Sequence, residues 1–134
     1  IREGLRDGTL DCIVTDHAPH APQEKADFAT APNGIVGLET SLAASITALV
    51  ETNTISLSRL VRLMSCNPAK ILGIPGGSLA VGSAADLVLF DPKKSWVVTR
   101  EDLKGRSANS PFLGKKLTGQ VQYTLLGGRL VFQR

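Results

Sequence analysis

Hydrophobic and polar positions in the first half of the chain predict one buried strand followed by helices. Residues 1–7 resemble the end of a helix, with Gly8 as its C-cap. Residues 10–15 form a short, mostly apolar and β-rich run, which predicts a strand buried on both faces, as in a parallel sheet or barrel. Residues 38–52 then place apolar side chains at helical spacing, which predicts an amphipathic helix.

A second helix is predicted to begin at Ser56, a residue type that favours N-capping. Asn67-Pro68 is expected to end this helix and to permit a short third helix over residues 68–72. Between the strand and the first helix, residues 16–36 contain three prolines and lack clear periodicity, which predicts a long loop. Long loops in compact domains often carry function.

After Gly73 the pattern changes to short strands. Residues 86–92, 95–99 and 119–126 each predict a strand. Gly127-Gly128 predicts a tight hairpin turn into a last strand. The first half of the chain is therefore βα-like, and the second half is a small all-β unit.

Composition narrows the classes of function. A hydrophobic fraction of 43% argues against disorder, and a net charge of +3 without a long basic run predicts no nucleic-acid partner. No signal peptide is visible and no apolar run approaches the roughly 20 residues of a membrane span, so we expect a cytoplasmic protein with no membrane partner. Cys12 and Cys66 lack a CxxC partner and are expected to be buried free thiols, with a disulfide as the alternative.

Candidate chemistry begins at Asp16, where the predicted strand gives way to the loop. Barrel enzymes place catalytic residues at this position, and a carboxylate there can bind a cation or accept a proton from water. From spacing alone, an Asp that caps a local turn is an equally good interpretation. His20 can point into the same mouth if the loop curls back, although a surface histidine is slightly favoured. His17 should point away from Asp16 and form a structural hydrogen bond.

Six segments, taken together, resemble the longer-chain dihydroorotases. Residues 15–20 read Thr-Asp-His-Ala-Pro-His, residues 31–40 read Ala-Pro-Asn-Gly-Ile-Val-Gly-Leu-Glu-Thr, and residues 110–114 read Ser-Pro-Phe-Leu-Gly. The segments at 67–73, 77–82 and 85–91 add to the match, which covers essentially the whole chain in order. The Asn-Pro-Ala and Gly-Ser-Leu-Ala-Val-Gly sequences are shared with many amidohydrolases, whereas Asp-His-Ala-Pro-His and Ser-Pro-Phe-Leu-Gly point to dihydroorotase.

This resemblance implies an α/β fold. Residues 1–75 would form the last βα part of a TIM (β/α)8 barrel, and residues 76–134 would form the C-terminal segment of a small β-sandwich. Because Ile1 is not a methionine and opens directly into a helix-like pattern, we expect the chain to be the C-terminal portion of a longer polypeptide. The missing N-terminal portion of the same enzyme is then its first partner.

The resemblance also implies an activity, the reversible cyclisation of N-carbamoyl-L-aspartate to L-dihydroorotate in pyrimidine biosynthesis, with zinc at the barrel mouth. Asp16 matches the acid that binds the metal and shuttles the proton to the ring nitrogen. His20 matches the histidine that binds the substrate carboxylate, and the backbone of Asn33-Gly34 matches a further substrate contact. The family often has Phe-Gly at that contact, so Asn33 is a departure. The other zinc ligands would lie upstream of Ile1, because a catalytic zinc site typically has about three protein ligands.

Two alternatives remain beside the dihydroorotase interpretation. A non-catalytic dihydroorotase-like subunit that holds aspartate transcarbamoylase is disfavoured by the retention of Asp16 and His20. A sibling cyclic amidase acting on hydantoins or allantoin is disfavoured by the Asp-His-Ala-Pro-His sequence. The expected partner is therefore a small-molecule substrate, and a homo-oligomer or an aspartate transcarbamoylase partner is compatible with this interpretation.

Overall fold

The chain consists of helices followed by a three-stranded antiparallel sheet. The computed structural model describes residues 1–134. Helix α1 spans Arg2–Asp7 and ends at Gly8, whose φ of 96° confirms the predicted C-cap. The predicted loop over residues 16–36 contains one regular element, the 3₁₀ helix Pro22–Lys25.

The two predicted amphipathic helices are present, and each changes to π-helical geometry along its length. Helix α2 spans Ser41–Ser45 and continues as a π-helical segment over Ile46–Val50. Helix α3 spans Leu57–Val61 and continues as a π-helical segment over Arg62–Cys66. The Ser56 hydroxyl accepts a hydrogen bond from the Arg59 N–H at 3.2 Å, which confirms the predicted N-cap.

The expectation that Asn67-Pro68 ends the second helix is wrong. Helix α4, Asn67–Leu72, follows the π-helical segment without a break, and Asn67 keeps a helical backbone conformation. The π-helical pattern explains the continuity, because the Asn67 N–H donates five residues back, to the Arg62 carbonyl. The next donor in that pattern would be residue 68, a proline without an N–H. The Leu63 carbonyl accepts instead from the Ile13 N–H, at 2.9 Å.

Residues 10–15 are not a strand in this structure, which corrects the prediction of a strand buried on both faces. The segment pairs with no strand of this chain, and Val14 is 73% exposed. Three hydrogen bonds attach it to the helices: from the Leu10 N–H to the Gly4 carbonyl at 2.9 Å, from the Ile13 N–H to the Leu63 carbonyl, and from the Asn67 side-chain amide to the Asp11 carbonyl at 2.7 Å. A β-strand is defined by its hydrogen bonds to a neighbouring strand, and the hydrophobic pattern of a segment does not reveal whether such a neighbour is present.

The sheet has the order β1-β2-β3, with β1 at Leu87–Val97, β2 at Lys116–Leu126 and β3 at Arg129–Gln133. The separate strands predicted over residues 86–92 and 95–99 are one strand, and its pairing with β2 is irregular between Asp91 and Ser95. The Asp91 carboxylate accepts from the N–H groups of Lys93 and Lys94, which closes a local turn inside the strand.

The hairpin between β2 and β3 is confirmed. Gly127 and Gly128 have φ values of 54° and 78°, and a two-residue turn with positive φ at both positions matches the twist of the flanking strands. Sequence therefore predicted both the place and the chemistry of this turn.

Helix α2 and its π-helical continuation pack on β2. Gly119 has a φ of 96°, and an added Cβ atom there would lie 2.4 Å from Ile46 Cδ1, so only glycine permits this approach. The Thr47 hydroxyl accepts from the Thr118 N–H at 2.8 Å, and the Trp96 indole donates to the Gly119 carbonyl at 2.9 Å. The Ile46–Gly119 approach and the Thr47–Thr118 bond join the helical and the all-β halves, while the Trp96 bond links β1 to β2.

The chain has an α/β fold, as expected, with an aliphatic core in two clusters. The larger cluster consists of Leu5, Ile46, Leu49, Ile55, Leu60 and Leu63. The smaller cluster consists of Ala43, Val98 and Leu117. The barrel and sandwich assignments, and the boundary at residue 75, stay predictions. No helix is both long enough and apolar enough to cross a bilayer.

The core is small for the length of the chain. Only 18 of 134 residues are buried, while Phe28, Leu79 and Val81 are almost fully exposed. Burial stabilises a fold by about 25 cal/mol per Å² of apolar surface. Side chains that stay in water add none of this stabilisation, which is needed to offset the conformational entropy lost on folding.

We therefore expect residues 1–134, expressed alone, to lack a cooperative thermal transition and to show a weak near-ultraviolet circular dichroism signal. Cys12 and Cys66 are free, so no disulfide constrains the unfolded state. Calorimetry and near-ultraviolet circular dichroism measure both properties. A monomer that melts in one sharp transition would contradict this expectation.

Candidate functional site

Two loop segments, residues 16–20 and 33–37, lie side by side. The Ala18 N–H donates to the Ile35 carbonyl at 2.9 Å, and the Gly37 N–H donates to Nδ1 of His17 at 3.1 Å. The structural hydrogen bond predicted for His17 is therefore confirmed. Because Nδ1 accepts this bond, the ring hydrogen of a neutral His17 lies on Nε2.

Gly34 permits the close approach of these segments. Its φ is 102°, and a Cβ atom added there would lie 2.4 Å from Cβ of Ala18. Any other residue would have a strained backbone and a steric clash at once. The glycine is thus required by the packing of one segment on the other.

His20 forms a hydrogen bond with the Asn33 carbonyl and lies near the Glu24 carboxylate, which is beyond hydrogen-bond distance. Its side chain is 19% exposed, with Nε2 3.1 Å from the Asn33 carbonyl and Nδ1 4.0 Å from the Glu24 carboxylate. A carbonyl only accepts hydrogen bonds, so Nε2 is the donor. The Glu24 carboxylate is oriented by the Ala21 N–H, which donates to it at 2.7 Å. The loop therefore does curl back, and His20 is not a free surface histidine.

The backbone N–H groups of Asn33 and Gly34 donate to no other group of the chain, whereas both carbonyls are occupied. Lys25 Nζ donates to the carbonyls of Pro32 and Gly34. The carbonyls are thus bound by Lys25 and His20, and the two N–H donors remain free, each pointing away from the carbonyl of the preceding residue because the peptide bonds are trans. Two free backbone N–H donors suit a carboxylate or another oxygen-rich group.

Asp16 does not join this cluster. It lies at the end of the extended segment, where a positive φ of 42° marks an abrupt change of direction, and it is exposed. Asp16 does not line the cavity of about 570 Å³ between the helices and the sheet, and the prediction that its carboxylate faces an active-site cavity stays a prediction. A barrel mouth is formed by the ends of several strands, and this chain contributes one such segment.

The residues present fit a metal only in part. Asp16 forms none of the three ion pairs of the chain, so its carboxylate is uncommitted and suits one ligand position. No group of three or more His, Cys, Asp or Glu side chains lies together in a way that could hold an ion. The chain thus offers a single carboxylate ligand.

Analysis of the sequence missed Asn109, whose side chain joins the two loop segments. Its Oδ1 accepts from the His20 N–H at 3.2 Å, and its Nδ2 donates to the Ala18 carbonyl at 2.9 Å. The available signal was its position immediately before residues 110–114, a segment that carries the family resemblance but to which no contact was assigned. Asn109 bonds to His20 and Ala18, which precede it by 89 and 91 positions, and such distant contacts leave no periodic pattern in the sequence.

Comparison with curated proteins finds dihydroorotases that match almost the whole chain. The dihydroorotase of Geobacter sp. strain M21 is 53% identical over 134 residues, which are 99% of this chain and 31% of that protein. The dihydroorotase of Syntrophus aciditrophicus strain SB is 54% identical, with the same coverage. The chain thus spans about 31% of the length of these relatives.

Solved structures with a similar fold include hydantoinases. The D-hydantoinase from Bacillus sp. AR9 has a TM-score of 0.87 and 30% identity, and the match covers 98% of this chain and 30% of that chain. The L-hydantoinase (dihydropyrimidinase) from Arthrobacter aurescens has a TM-score of 0.85 and 35% identity, over 98% of this chain and 31% of that chain.

The sequence model of the amidohydrolase family matches residues 1–131. This match takes in the segment with Asp16, the paired loop segments and the sheet. The chain belongs to the amidohydrolase family.

Proposed function

We propose that this chain forms part of a zinc-dependent dihydroorotase, which interconverts N-carbamoyl-L-aspartate and L-dihydroorotate. The observation that carries the proposal is the cluster of His20 with the free N–H groups of Asn33 and Gly34. The proposal places Asp16 on the rim of a TIM barrel, with the other metal ligands supplied by polypeptide outside these 134 residues.

The chemistry of the reaction gives Asp16 a defined task. Hydrolysis of an unactivated cyclic amide at neutral pH needs a strong nucleophile and a polarised carbonyl. A bound zinc ion would supply the first by lowering the pKa of water to about 7 and the second by acting as a Lewis acid. The Asp16 carboxylate would accept a proton from the attacking water and return it to the leaving ring nitrogen. Its lack of an ion-pair partner leaves it free to do so.

The His20 cluster would bind the carboxylate of the substrate. The Nε2–H of His20 donates to the Asn33 carbonyl, so the substrate carboxylate would replace that carbonyl as the acceptor, and the N–H groups of Asn33 and Gly34 are further free donors in the same loop segment. Backbone donors do not depend on the side chain at position 33, so the contact tolerates Asn where relatives often have Phe. A charge-assisted bond to a carboxylate contributes about 1.5–3 kcal/mol.

A second candidate, a cyclic amidase acting on hydantoins, is favoured by the structural match to hydantoinases. The two candidates share the fold and the hydrolytic chemistry and differ in the substrate carboxylate. Identities of 53% and 54% to dihydroorotases, against 30% and 35% to hydantoinases, support the dihydroorotase.

The deciding experiment uses a hybrid enzyme, in which residues 1–134 replace the matched segment of the Geobacter sp. strain M21 dihydroorotase. We expect the hybrid to bind zinc and to hydrolyse dihydroorotate faster than hydantoin, and the 134 residues alone to do neither. A folded, zinc-loaded hybrid without dihydroorotate turnover would contradict the proposal and favour a non-catalytic subunit. Preferential turnover of hydantoin would favour the second candidate.

In the hybrid enzyme, Asp16→Ala should lower kcat by about 10²–10⁴-fold, the usual contribution of a positioned acid–base group. Circular dichroism should be unchanged, since the Asp16 side chain is exposed and lacks an ion-pair partner. Glu24→Ala is not a suitable control because Glu24 contacts His20; Asp27→Ala, at an exposed turn of the same loop, is suitable. Near-normal turnover of Asp16→Ala would place the base elsewhere.

His20→Ala should raise the KM for dihydroorotate about 10- to 100-fold while the zinc content stays the same, because the lost contact is to substrate and not to metal. Steady-state kinetics and metal analysis of the same preparation measure both quantities. Loss of zinc in this variant would instead identify His20 as a metal ligand.

A further inference from the structure

Asn109 joins both loop segments through every hydrogen-bonding group of its side chain. The Oδ1 atom accepts from the His20 N–H at 3.2 Å, while Nδ2 donates to the carbonyls of Ala18 at 2.9 Å and Gly34 at 3.3 Å. The Asn109 backbone carbonyl accepts from the Val36 N–H at 3.2 Å. One residue therefore makes two hydrogen bonds to each segment.

The bonds to the first segment imitate a neighbouring strand. A side-chain amide carries a carbonyl and an N–H side by side. The Asn109 amide pairs with the N–H of His20 and with the carbonyl of Ala18, two residues earlier. In an extended chain these groups lie on the same edge. The amide thus fixes the direction of the backbone from Ala18 to His20, and with it the position of the His20 Cα atom from which the side chain extends.

The bonds to the second segment fix the other half of the proposed carboxylate site. The Gly34 carbonyl accepts from both Asn109 Nδ2 and Lys25 Nζ, and the Gly34 N–H donates to no group of the chain. The segments already touch at Gly34 and Ala18, where even a methyl group would clash. A steric limit at Gly34 prevents a closer approach, and the Asn109 bonds hold the segments together along with the direct bonds from Ala18 to Ile35 and from Gly37 to His17.

We propose that Asn109 is a positioning residue for substrate binding, which sets the distance between the His20 imidazole and the free N–H groups of Asn33 and Gly34. This inference rests on the proposed function, because it assigns the cluster to the substrate carboxylate. It gives a role to the residue that immediately precedes the segment at 110–114.

The test compares Asn109→Asp and Asn109→Ala in the hybrid enzyme. The Asp variant keeps the shape and the acceptor for the His20 N–H, but it places an oxygen against the carbonyls of Ala18 and Gly34. We expect the KM for dihydroorotate to rise about tenfold or more in both variants, with a smaller change in kcat and unaltered zinc content. Ser110→Ala is the matched control, because the Ser110 hydroxyl accepts only from the Phe112 N–H.

A double-mutant cycle separates positioning from general stability. If Asn109 acts through His20, Asn109→Ala should change KM much less in the His20→Ala background than in the unsubstituted hybrid. Additive effects on KM, or a fall in kcat at constant KM, would overturn the inference while the proposed function stands. Absence of turnover in the unsubstituted hybrid would overturn the proposed function, and this inference with it.

Discussion

The absence of an N–H on Pro68 determines how the extended segment before the loop attaches to the helices. In the π-helical segment each N–H donates to the carbonyl five residues before it, so the Leu63 carbonyl would accept from residue 68, which is a proline without an N–H. The Ile13 N–H donates to the Leu63 carbonyl instead. The preceding residue, Asn67, donates its side-chain amide to the Asp11 carbonyl. One asparagine–proline pair thus secures two backbone groups on the same edge of the segment, and the chain reaches the start of the loop in a fixed direction.

The same device recurs at the beginning of the loop, where a second asparagine amide pairs with the backbone of an extended segment. Asn109 bonds to Ala18 and His20 as Asn67 bonds to Asp11. In both places a side chain satisfies main-chain groups for which the chain provides no strand. Unpaired backbone groups cost free energy when they are shielded from water, so each asparagine orders a stretch that patterning alone would leave irregular.

Features set by local chemistry were predictable from the sequence. The Ser56 cap, the Gly8 C-cap, the helix over residues 41–50 and the Gly127-Gly128 hairpin all follow from interactions within a few residues. The structural bond of His17 followed from the alternation of side chains along an extended chain.

Features that depend on distant partners were not predictable. Residues 10–15 have the composition of a buried strand but no neighbouring strand. The helix continues through Asn67-Pro68, and the Leu63 carbonyl that the proline leaves free accepts from Ile13, 50 positions earlier in the chain. The irregularity in β1 reflects the Asp91 turn, which splits the hydrophobic pattern without breaking the strand. In the candidate site, His20 and Gly34 belong to short sequence segments that could be identified, whereas no such segment pointed to Asn109.

The placement of Asp16 relative to the His20 cluster depends on His17. No ion pair joins the acid to the cluster, so their spacing depends on the intervening backbone and on whatever holds that backbone in place. His17 follows Asp16 directly and accepts from the Gly37 N–H, which anchors this stretch to the second loop segment. A Cβ atom added at Gly37 would lie 3.2 Å from Cβ of Thr15, so the anchor is also tightly packed. A non-catalytic histidine thereby links the proposed acid to the proposed substrate contacts.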